Sequence, residues 1–379
     1  MKKINCICAL QMLVVSLVFS PPLNAQQIQT VNIGFSSPLS GPQASAGLDN
    51  QGGLTLAVEH LNARGIVING NKIQFHVVME DDQGDPATGV QVAQKLVDAG
   101  VKAVIGPYNS GISIPASRIY NSAGIIMATV SSNPTVTLQG YKSVFRIAAN
   151  DSQLGGKIAL YAARELKIKS VAIIDDRTAY GQGLAMEFAK VAKANGLHVV
   201  SNDYTNDKAS DFMAILTSIK PKNPDAIFYA GYAAQGGPMV RQMKQLKMQS
   251  LFLGSDGICA PQMGKLAGDA ITDQVYCTEG GALLDKLDAG KTFTEEYKKR
   301  FNRPPETYAV AFYDGMMLIA EAMKQAKSVE PQQYLSVLEK IKFKGVVGTY
   351  EFDSHHDLSQ SAVTIYHFHN GVPESITSY

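Results

Sequence analysis

The sequence has no excess of charge of either sign. Its 34 Lys and Arg residues balance 33 Asp and Glu residues, for a formal net charge of +1. The predicted leader, residues 1–25, contains two lysines and no acid, so the remainder of the chain carries −1. Proteins that bind nucleic acid or anionic membrane surfaces concentrate basic residues. The composition therefore argues against either partner.

The motifs of common enzyme classes are also missing. The sequence contains no Walker phosphate loop, no HExxH and no GxSxG. A partial dinucleotide fingerprint, GQGLAM at 181–186, has Met186 where the third small residue belongs. His367 and His369 share one face of a predicted strand, but few acids and no cysteine accompany them, which is typical of solvated strand surface. We therefore expect no catalytic residue, no metal site and no cofactor.

The one apolar run near the N-terminus is short. Residues 9–19 follow Lys2 and Lys3 and precede a plausible small-residue cleavage site at 23–25. A helix that crosses a bilayer needs about 20 apolar residues, whereas a secretory signal needs fewer. Residues 1–25 are therefore interpreted as a signal peptide that is removed on secretion. An uncleaved membrane anchor is the alternative.

Cysteine is scarce outside the leader. Of four cysteines, Cys6 and Cys8 lie in the predicted signal peptide, and only Cys259 and Cys277 remain in the mature chain. In an oxidising compartment two cysteines favour one disulfide. Two separate buried thiols are the alternative, because the sequence does not give the separation of the two Cα atoms.

The chain is too long for one ordinary hydrophobic core, which favours two lobes. From residue 31 onward, short apolar strands alternate with amphipathic helices, such as the pattern at 52–65 that ends at Gly65. Short connections of this kind predict an α/β fold with two doubly wound parallel sheets. The predicted strands are 31–35, 72–79, 103–105, 125–129, 170–174, 197–203, 225–229 and 251–253.

No Gly-, Ser- or Pro-rich linker divides the lobes, but one βαβ series ends and another begins near 144–156. The last third contains helical patterns and then strands, which we expect to return to the first lobe and then to the second. These late elements are helices 291–302, 307–326 and 331–342, and strands near 347–352 and 361–368. The predicted first lobe is 26–150 with 280–350, and the second is 151–279 with 351–379.

Hydroxyl residues follow two predicted strands of the first lobe. In AVIGPYNSGIS (103–113) a strand leads to Ser110 at the start of a helix, and in TVSSNPTVT (129–137) Ser131 and Ser132 follow the next strand. Ligands of open α/β sheets bind beyond these strand ends, and helix N-termini attract anions such as carboxylates. Ordinary N-capping is the alternative for each stretch taken alone.

The strand ends of the second predicted lobe carry other groups. Tyr180 and Tyr232 follow two strands there, and Asp256 follows a third. A zwitterion needs groups that receive its anion, one acid for its ammonium and aromatic faces for cation–π contact. The distribution of residue types therefore favours a zwitterionic small molecule bound between the lobes, although any one tyrosine could equally serve packing.

Six stretches, in this order, resemble the periplasmic leucine/isoleucine/valine-binding proteins, the amino-acid receptors of branched-chain ABC importers. They are IGFSSPLSGPQASAG, MEDDQGDP, VIGPYNSGISIPAS, AIIDDRTAYGQGLA, IFYAGY and LGSDG. The resemblance covers nearly all of 29–370. It implies a type I periplasmic binding protein, a monomer whose hinged lobes close on an L-amino acid and present it to a membrane ABC permease.

The resemblance also implies roles for individual residues. Ser110 matches the hydroxyl that receives the ligand's α-carboxylate, and Ser132 matches a threonine that serves both carboxylate and ammonium. Asp256 matches the glutamate that pairs with the ammonium. Tyr180 and Tyr232 match the tyrosines that close over the ligand backbone.

The side-chain end of the ligand is where this sequence departs from the family pattern. Tyr308 matches an aromatic residue that borders the side-chain pocket, but Ala46 stands where leucine-type receptors have a tyrosine. Asp256 is one methylene shorter than the family's glutamate. The family's first-lobe disulfide is absent, with Gly84 and Asn109 at its positions. These differences bear on which ligand is bound.

Two other functions fit the same fold. A sensor subunit would report an amide, a urea or an aromatic acid to a membrane partner, and Asp256 would then be dispensable because such ligands lack a cation. A secreted enzyme would need a nucleophile within reach of a base, and the sequence offers no convincing pair.

Overall fold

Strands and helices alternate along most of the chain in the computed structural model, which describes residues 27–281 and 283–379. The predicted signal peptide, residues 1–25, lies outside the described residues. The strands are β1 (Ile28–Ser37), β2 (Val67–Ile68), β3 (Asn71–Asp81), β4 (Ala103–Ile105), β5 (Ile126–Thr129), β6 (Val144–Arg146), β7 (Ser170–Asp175), β8 (His198–Tyr204), β9 (Ala226–Ala230), β10 (Leu251–Leu253), β11 (Val275–Gly280), β12 (Phe343–Lys344), β13 (Thr349–Tyr350), β14 (Val363–His369) and β15 (Val372–Ser378). The α-helices are α1 (Ala44–Arg64), α2 (Pro86–Asp98), α3 (Ser110–Ser122), α4 (Thr135–Leu138), α5 (Asp151–Arg164), α6 (Ala179–Ala194), α7 (Met213–Ile219), α8 (Ala233–Gln245), α9 (Pro261–Ala267), α10 (Asp288–Phe301), α11 (Ala309–Ala326) and α12 (Pro331–Leu338).

The strands form two main sheets, one in each lobe. The first has the order β2-β3-β1-β4-β5-β6, and the second has the order β15-β14-β11-β10-β9-β7-β8. Every predicted strand is present, with ends that differ from the prediction by about three residues at most. The predicted α/β fold with two lobes is confirmed.

The sheets are mixed rather than purely parallel, because β14 and β15 extend the second sheet as an antiparallel hairpin. Strands β2, β6, β11, β12 and β15 are absent from the sequence prediction. The signal that identifies the hairpin is the Asn370-Gly371 dipeptide, since both residues have positive φ (50° and 81°), as the tight turn between two strands requires. Strand β2 is also antiparallel to its neighbour β3.

The chain crosses between the lobes in three places: between β6 and α5, between β11 and α10, and between β13 and β14. Helices α10, α11 and α12 pack into the hydrophobic core of the first lobe. The prediction for 351–358 differs from the structure, because this segment also packs on the first lobe. Phe352 belongs to its core, and Asp357 forms an ion pair with the buried Arg146 at 2.7 Å. The chain returns to the second lobe only after residue 358.

Helix α11 approaches α1 closely because α1 contains glycine at the contact. A β-carbon on Gly53 would overlap the carbonyl of Ala309, the first residue of α11. The bare backbone at this position lets the N-terminus of α11 lie against α1. This contact brings the residues that precede α11 to the space between the lobes.

Cys259 and Cys277 form a disulfide in the second lobe, with their Cα atoms 5.5 Å apart. Both residues are buried in one of that lobe's hydrophobic clusters. The bond joins the loop after β10 to strand β11 and closes a short loop, since the two positions are 18 residues apart. It therefore restrains the segment that begins at Asp256.

Replacing both cysteines, Cys259→Ser with Cys277→Ser, should lower the free energy of unfolding by about 3 kcal/mol, because the unfolded chain regains loop entropy. Urea unfolding followed by circular dichroism measures this change. Reducing agent added to the unmodified protein should produce the same loss and serves as the control. An unmodified protein whose urea midpoint is insensitive to reductant would contradict the prediction.

Candidate functional site

The carboxyl ends of the strands in the two lobes face each other across a cleft. Asn109, which follows β4, donates its side-chain N–H to the Tyr232 hydroxyl, which follows β9, at 2.9 Å. The Tyr308 hydroxyl, just before α11, donates to the Asp256 carboxylate beyond β10 at 2.8 Å. Side chains from both lobes therefore meet at the place where open α/β sheets bind ligands.

A small cavity lies in this cleft. Four of the predicted ligand residues line it, namely Ala46, Tyr232, Asp256 and Tyr308. The other lining residues are Pro42, Gln43, Asp49, Asn50, Tyr108, Ala233, Ala234, Gly257, Ala260, Gln262, Glu306 and Thr307.

Asp256 accepts hydrogen bonds from three hydroxyl groups at the wall of the cavity. Its donors are Tyr180 at 2.9 Å, Ser255 at 2.9 Å and Tyr308 at 2.8 Å. Burial raises the pKa of Asp256, and the hydrogen bonds from Tyr308, Tyr180 and Ser255 oppose that rise. A buried carboxylate held in a fixed position by hydroxyl donors is suited to receive a cation from the cavity.

Four tyrosines surround this carboxylate. The ring centroids of Tyr180 and Tyr232 are 5.0 Å apart, and Tyr108 lies 6.2 Å from Tyr232 and 6.0 Å from Tyr308. Aromatic faces beside a carboxylate form a suitable environment for an ammonium group. Sequence reasoning missed Tyr108, because nothing in GPYNSG distinguishes a tyrosine in the cavity wall from one that packs in the core.

Ser110 is the first residue of α3 and is almost fully buried. Its hydroxyl accepts a hydrogen bond from the backbone N–H of Asn133 at 3.3 Å. The Asn109 side chain does not cap α3, and its amide N–H groups donate to Gln43 and Tyr232. Helix α3 therefore begins without a side-chain cap, and the dipole at its N-terminus favours an anion.

Ser131 and Ser132 lie in the loop after β5, and neither lines the cavity. The Ser131 hydroxyl is 3.0 Å from the Tyr108 carbonyl and 2.6 Å from the Ser113 hydroxyl, so it links the two strand-end loops of the first lobe. The Ser132 carbonyl accepts the backbone N–H of Asp151, which begins α5, at 2.8 Å. Ser132 therefore lies at the first crossing between the lobes.

Asp49 fixes the start of α11. Its carboxylate accepts the backbone N–H groups of Glu306 at 2.8 Å and Ala309 at 2.9 Å, together with the Tyr297 hydroxyl at 3.1 Å. These bonds hold the segment that carries Tyr308 against the cavity. Sequence reasoning missed Asp49, because its partners lie about 250 residues further along the chain.

Two kinds of feature are absent from the part of the chain that the structure describes. Within residues 27–281 and 283–379, no helix is long and apolar enough to cross a membrane. In the same ranges, no group of three or more His, Cys, Asp and Glu side chains is arranged to hold a metal ion.

A family model described as periplasmic binding protein matches residues 30–371. The chain belongs to this family. This confirms the family resemblance found in the sequence, since the match includes both lobes and all three crossings between them.

Individual members of the periplasmic binding protein family match over most of the chain. The Leu/Ile/Val-binding protein homolog 1 of Brucella abortus is 32% identical over 345 residues, which are 90% of this chain and 91% of the relative. The leucine-binding protein LivK of Thermotoga maritima superposes with a TM-score of 0.85 at 25% identity, covering 92% of this chain and 98% of that one. The branched-chain amino acid transporter substrate-binding protein LivJ of Streptococcus pneumoniae, solved in complex with isoleucine, gives 0.83 at 28% identity, with 92% and 99% covered.

Asp151 adds a second buried carboxylate near the cleft of this periplasmic binding protein. It is fully buried at the first turn of α5. Burial raises its pKa from 3.8 to about 8, and the nearby Asp256 charge contributes, while the Ser132 side chain and Arg146 oppose the rise. A group with a raised folded-state pKa binds its proton more tightly in the folded protein than in the unfolded one. The stability it provides is complete below pH 3.8 and is lost as the pH rises toward 8.

The substitution Asp151→Asn should remove this pH dependence. Without ligand, the variant should have a Tm several degrees above that of the unmodified protein at pH 8, and the difference should shrink toward pH 5. Calorimetry across this pH range measures it. Asp98→Asn, on the exposed end of α2, is the control and should leave the profile unchanged. Parallel Tm profiles for Asp151→Asn and the unmodified protein would contradict the prediction.

Proposed function

We propose that this chain is the substrate-binding protein of an ABC importer and binds an L-amino acid in the cleft between its lobes. The observation that carries the proposal is the buried Asp256 carboxylate. It lines the cavity and accepts hydrogen bonds from hydroxyl groups of both lobes. Such a carboxylate matches the ammonium of an amino acid. The relatives named as Leu/Ile/Val-binding proteins support the same class of ligand.

The proposed roles are those that the family resemblance implies. The N-terminus of α3 with Ser110, and Ser132 beyond β5, receive the α-carboxylate, while Asp256 receives the ammonium. Tyr180 and Tyr232 close over the ligand backbone from the second lobe. Ser131 acts through the loop that it holds, since its hydroxyl already bonds to Tyr108 and Ser113.

Tyr308 and Ala46 border the ligand side chain from the first lobe. Tyr308 also links the lobes through its bond to Asp256, so ligand contact and lobe closure involve the same atoms. A bound amino acid stabilises the closed arrangement to the extent that it binds that arrangement better than an open one. A membrane permease then recognises the closed form, and the protein itself performs no chemical step.

The proposed cellular location is the periplasm, reached through a signal peptide at residues 1–25 that is removed. The proposed state is a monomer, since both walls of the cavity come from one chain. The disulfide between Cys259 and Cys277 suits an oxidising compartment. No cofactor or metal has a role in this proposal.

The test is thermal shift on residues 26–379, refolded from denaturant to remove any bound ligand. The panel contains all L-amino acids, their deaminated analogues, and amides and aromatic acids. A ligand at about 100 times its Kd should stabilise the protein by about 2.7 kcal/mol. Stabilisation by one or more L-amino acids, and its loss with the matching deaminated acids, is the expected result. Stabilisation by amides or aromatic acids alone would replace the proposal with the sensor function.

The substitution Asp256→Asn should weaken binding of the best amino acid by roughly 30-fold or more, because a desolvated ammonium loses its counter-charge. The asparagine oxygen can still accept hydrogen bonds from Tyr180 and Ser255, and its amide N–H can donate to the Tyr308 hydroxyl, so the fold should persist. Titration calorimetry measures the affinity, with Asp98→Asn as the exposed control. Unchanged affinity in the Asp256→Asn protein would remove Asp256 from the ammonium site.

A further inference from the structure

Much of the cavity wall besides Asp256 is polar. It includes the amide residues Gln43, Asn50 and Gln262 and the acidic residues Asp49 and Glu306. An aliphatic ligand side chain gains binding energy by burying apolar area against apolar walls. Amide and carboxylate groups beside an aliphatic side chain lose their hydration without gaining a hydrogen bond, which costs binding free energy.

The apolar part of the wall is made of small or aromatic residues. Among the described lining residues there is no Leu, Ile, Val, Met or Phe. The apolar members are alanines, a proline and a glycine, together with Tyr108, Tyr232 and Tyr308. Ala46 contributes only a methyl group to the wall, and tyrosine faces attract cations as well as apolar groups.

The charges of the lining residues do not balance. Three of them are acids, namely Asp49, Asp256 and Glu306, and among the described lining residues none is Lys, Arg or His. Asp49 is accounted for, because it caps the start of α11 and lies 3.8 Å from a guanidinium nitrogen of Arg303. Asp256 and Glu306 therefore remain as two separate acceptors for positive charge.

Glu306 has few partners of its own. Its carboxylate oxygens lie 3.3 and 3.4 Å from the Ser45 hydroxyl, and in the described parts of the chain no Lys, Arg or His nitrogen pairs with it within 4.0 Å. Burial and the neighbouring Asp49 charge raise the pKa of Glu306, while Arg303, Ser45 and Lys265 oppose the rise. A half-buried carboxylate with one long hydrogen bond can accept a cation from the cavity.

We propose that the cavity selects an L-amino acid whose side chain ends in a cation, as in lysine, ornithine or arginine, and that Glu306 pairs with that cation. This inference rests on the function proposed above, in which Asp256 binds the α-ammonium and α3 faces the α-carboxylate. The ligand's two positive groups then match the two remaining carboxylates, and its single negative group matches the helix N-terminus.

The first experiment is titration calorimetry of the refolded protein with L-lysine, L-ornithine, L-arginine, L-leucine and L-norleucine. Norleucine has the carbon chain of lysine without its terminal amine, so this pair isolates the side-chain charge. Lysine or another basic amino acid should bind roughly 30-fold or more tightly than norleucine. Equal or tighter binding of leucine or norleucine would overturn this inference and leave the proposed function in place. Binding of no amino acid would overturn both.

The second experiment uses Glu306→Gln, which keeps the side-chain length and an oxygen that can accept the Ser45 hydroxyl. The variant should lose roughly 30-fold or more in affinity for the basic ligand and change little toward norleucine. Glu295→Gln, an exposed position on α10, is the matched control and should bind like the unmodified protein. Circular dichroism and Tm establish that both variants are folded. An equal loss for lysine and norleucine would show that Glu306 supports the wall, and would overturn its pairing with a ligand cation.

Discussion

The buried guanidinium of Arg146 holds together the loops on which the cleft depends. Arg146 is fully buried at the end of β6, and its Nε donates to Asp357 at 2.7 Å. Its remaining nitrogens donate to the carbonyls of Ser131 and Asn133 and to the Thr137 hydroxyl. Removal of one partner from such a buried pair costs about 3–5 kcal/mol, because the other charge stays desolvated. One side chain therefore fixes the loop after β5 and also the path of residues 351–358.

A second buried charge of the first lobe, the Asp49 carboxylate, positions the segment that carries Tyr308. Asp49 replaces a conventional cap at α11 by accepting two backbone N–H groups, and Gly53 allows the two helices to approach. A carboxylate at a helix N-terminus is favoured by the helix dipole as well as by its hydrogen bonds. This arrangement sets the position of Tyr308, because Tyr308 directly precedes α11. From that position its hydroxyl reaches Asp256.

Local sequence pattern was enough to predict ten of the fifteen strands and the chemical types at several of their ends, because strand period and turn residues are local properties. The position of Asp256 at the cavity wall followed from the rule that ligands bind beyond strand ends, whereas Ser110, Ser131 and Ser132 lie outside the cavity lining. The roles of Arg146 and Asp49 could not be predicted in this way. Their partners are 211 and about 250 residues distant in sequence, and no periodicity distinguishes a buried charge from an exposed one. The assignment of 351–358 to the second lobe differs from the structure for the same reason, since Asp357 pairs with the distant Arg146 of the first lobe.

The acidity of the cleft connects ligand charge to lobe closure. The second lobe contributes Asp151, Asp256 and Glu279, and burial raises the pKa of each, with that of Glu279 at about 8. Burying these carboxylates beneath the first lobe costs desolvation energy that hydroxyl donors only partly offset. A ligand changes the balance between open and closed arrangements only by its differential affinity for them. In the proposed function a cationic group at Asp256 offsets part of this cost, and Tyr308 bonds to the same carboxylate from the first lobe, which links recognition of the cation to closure of the lobes.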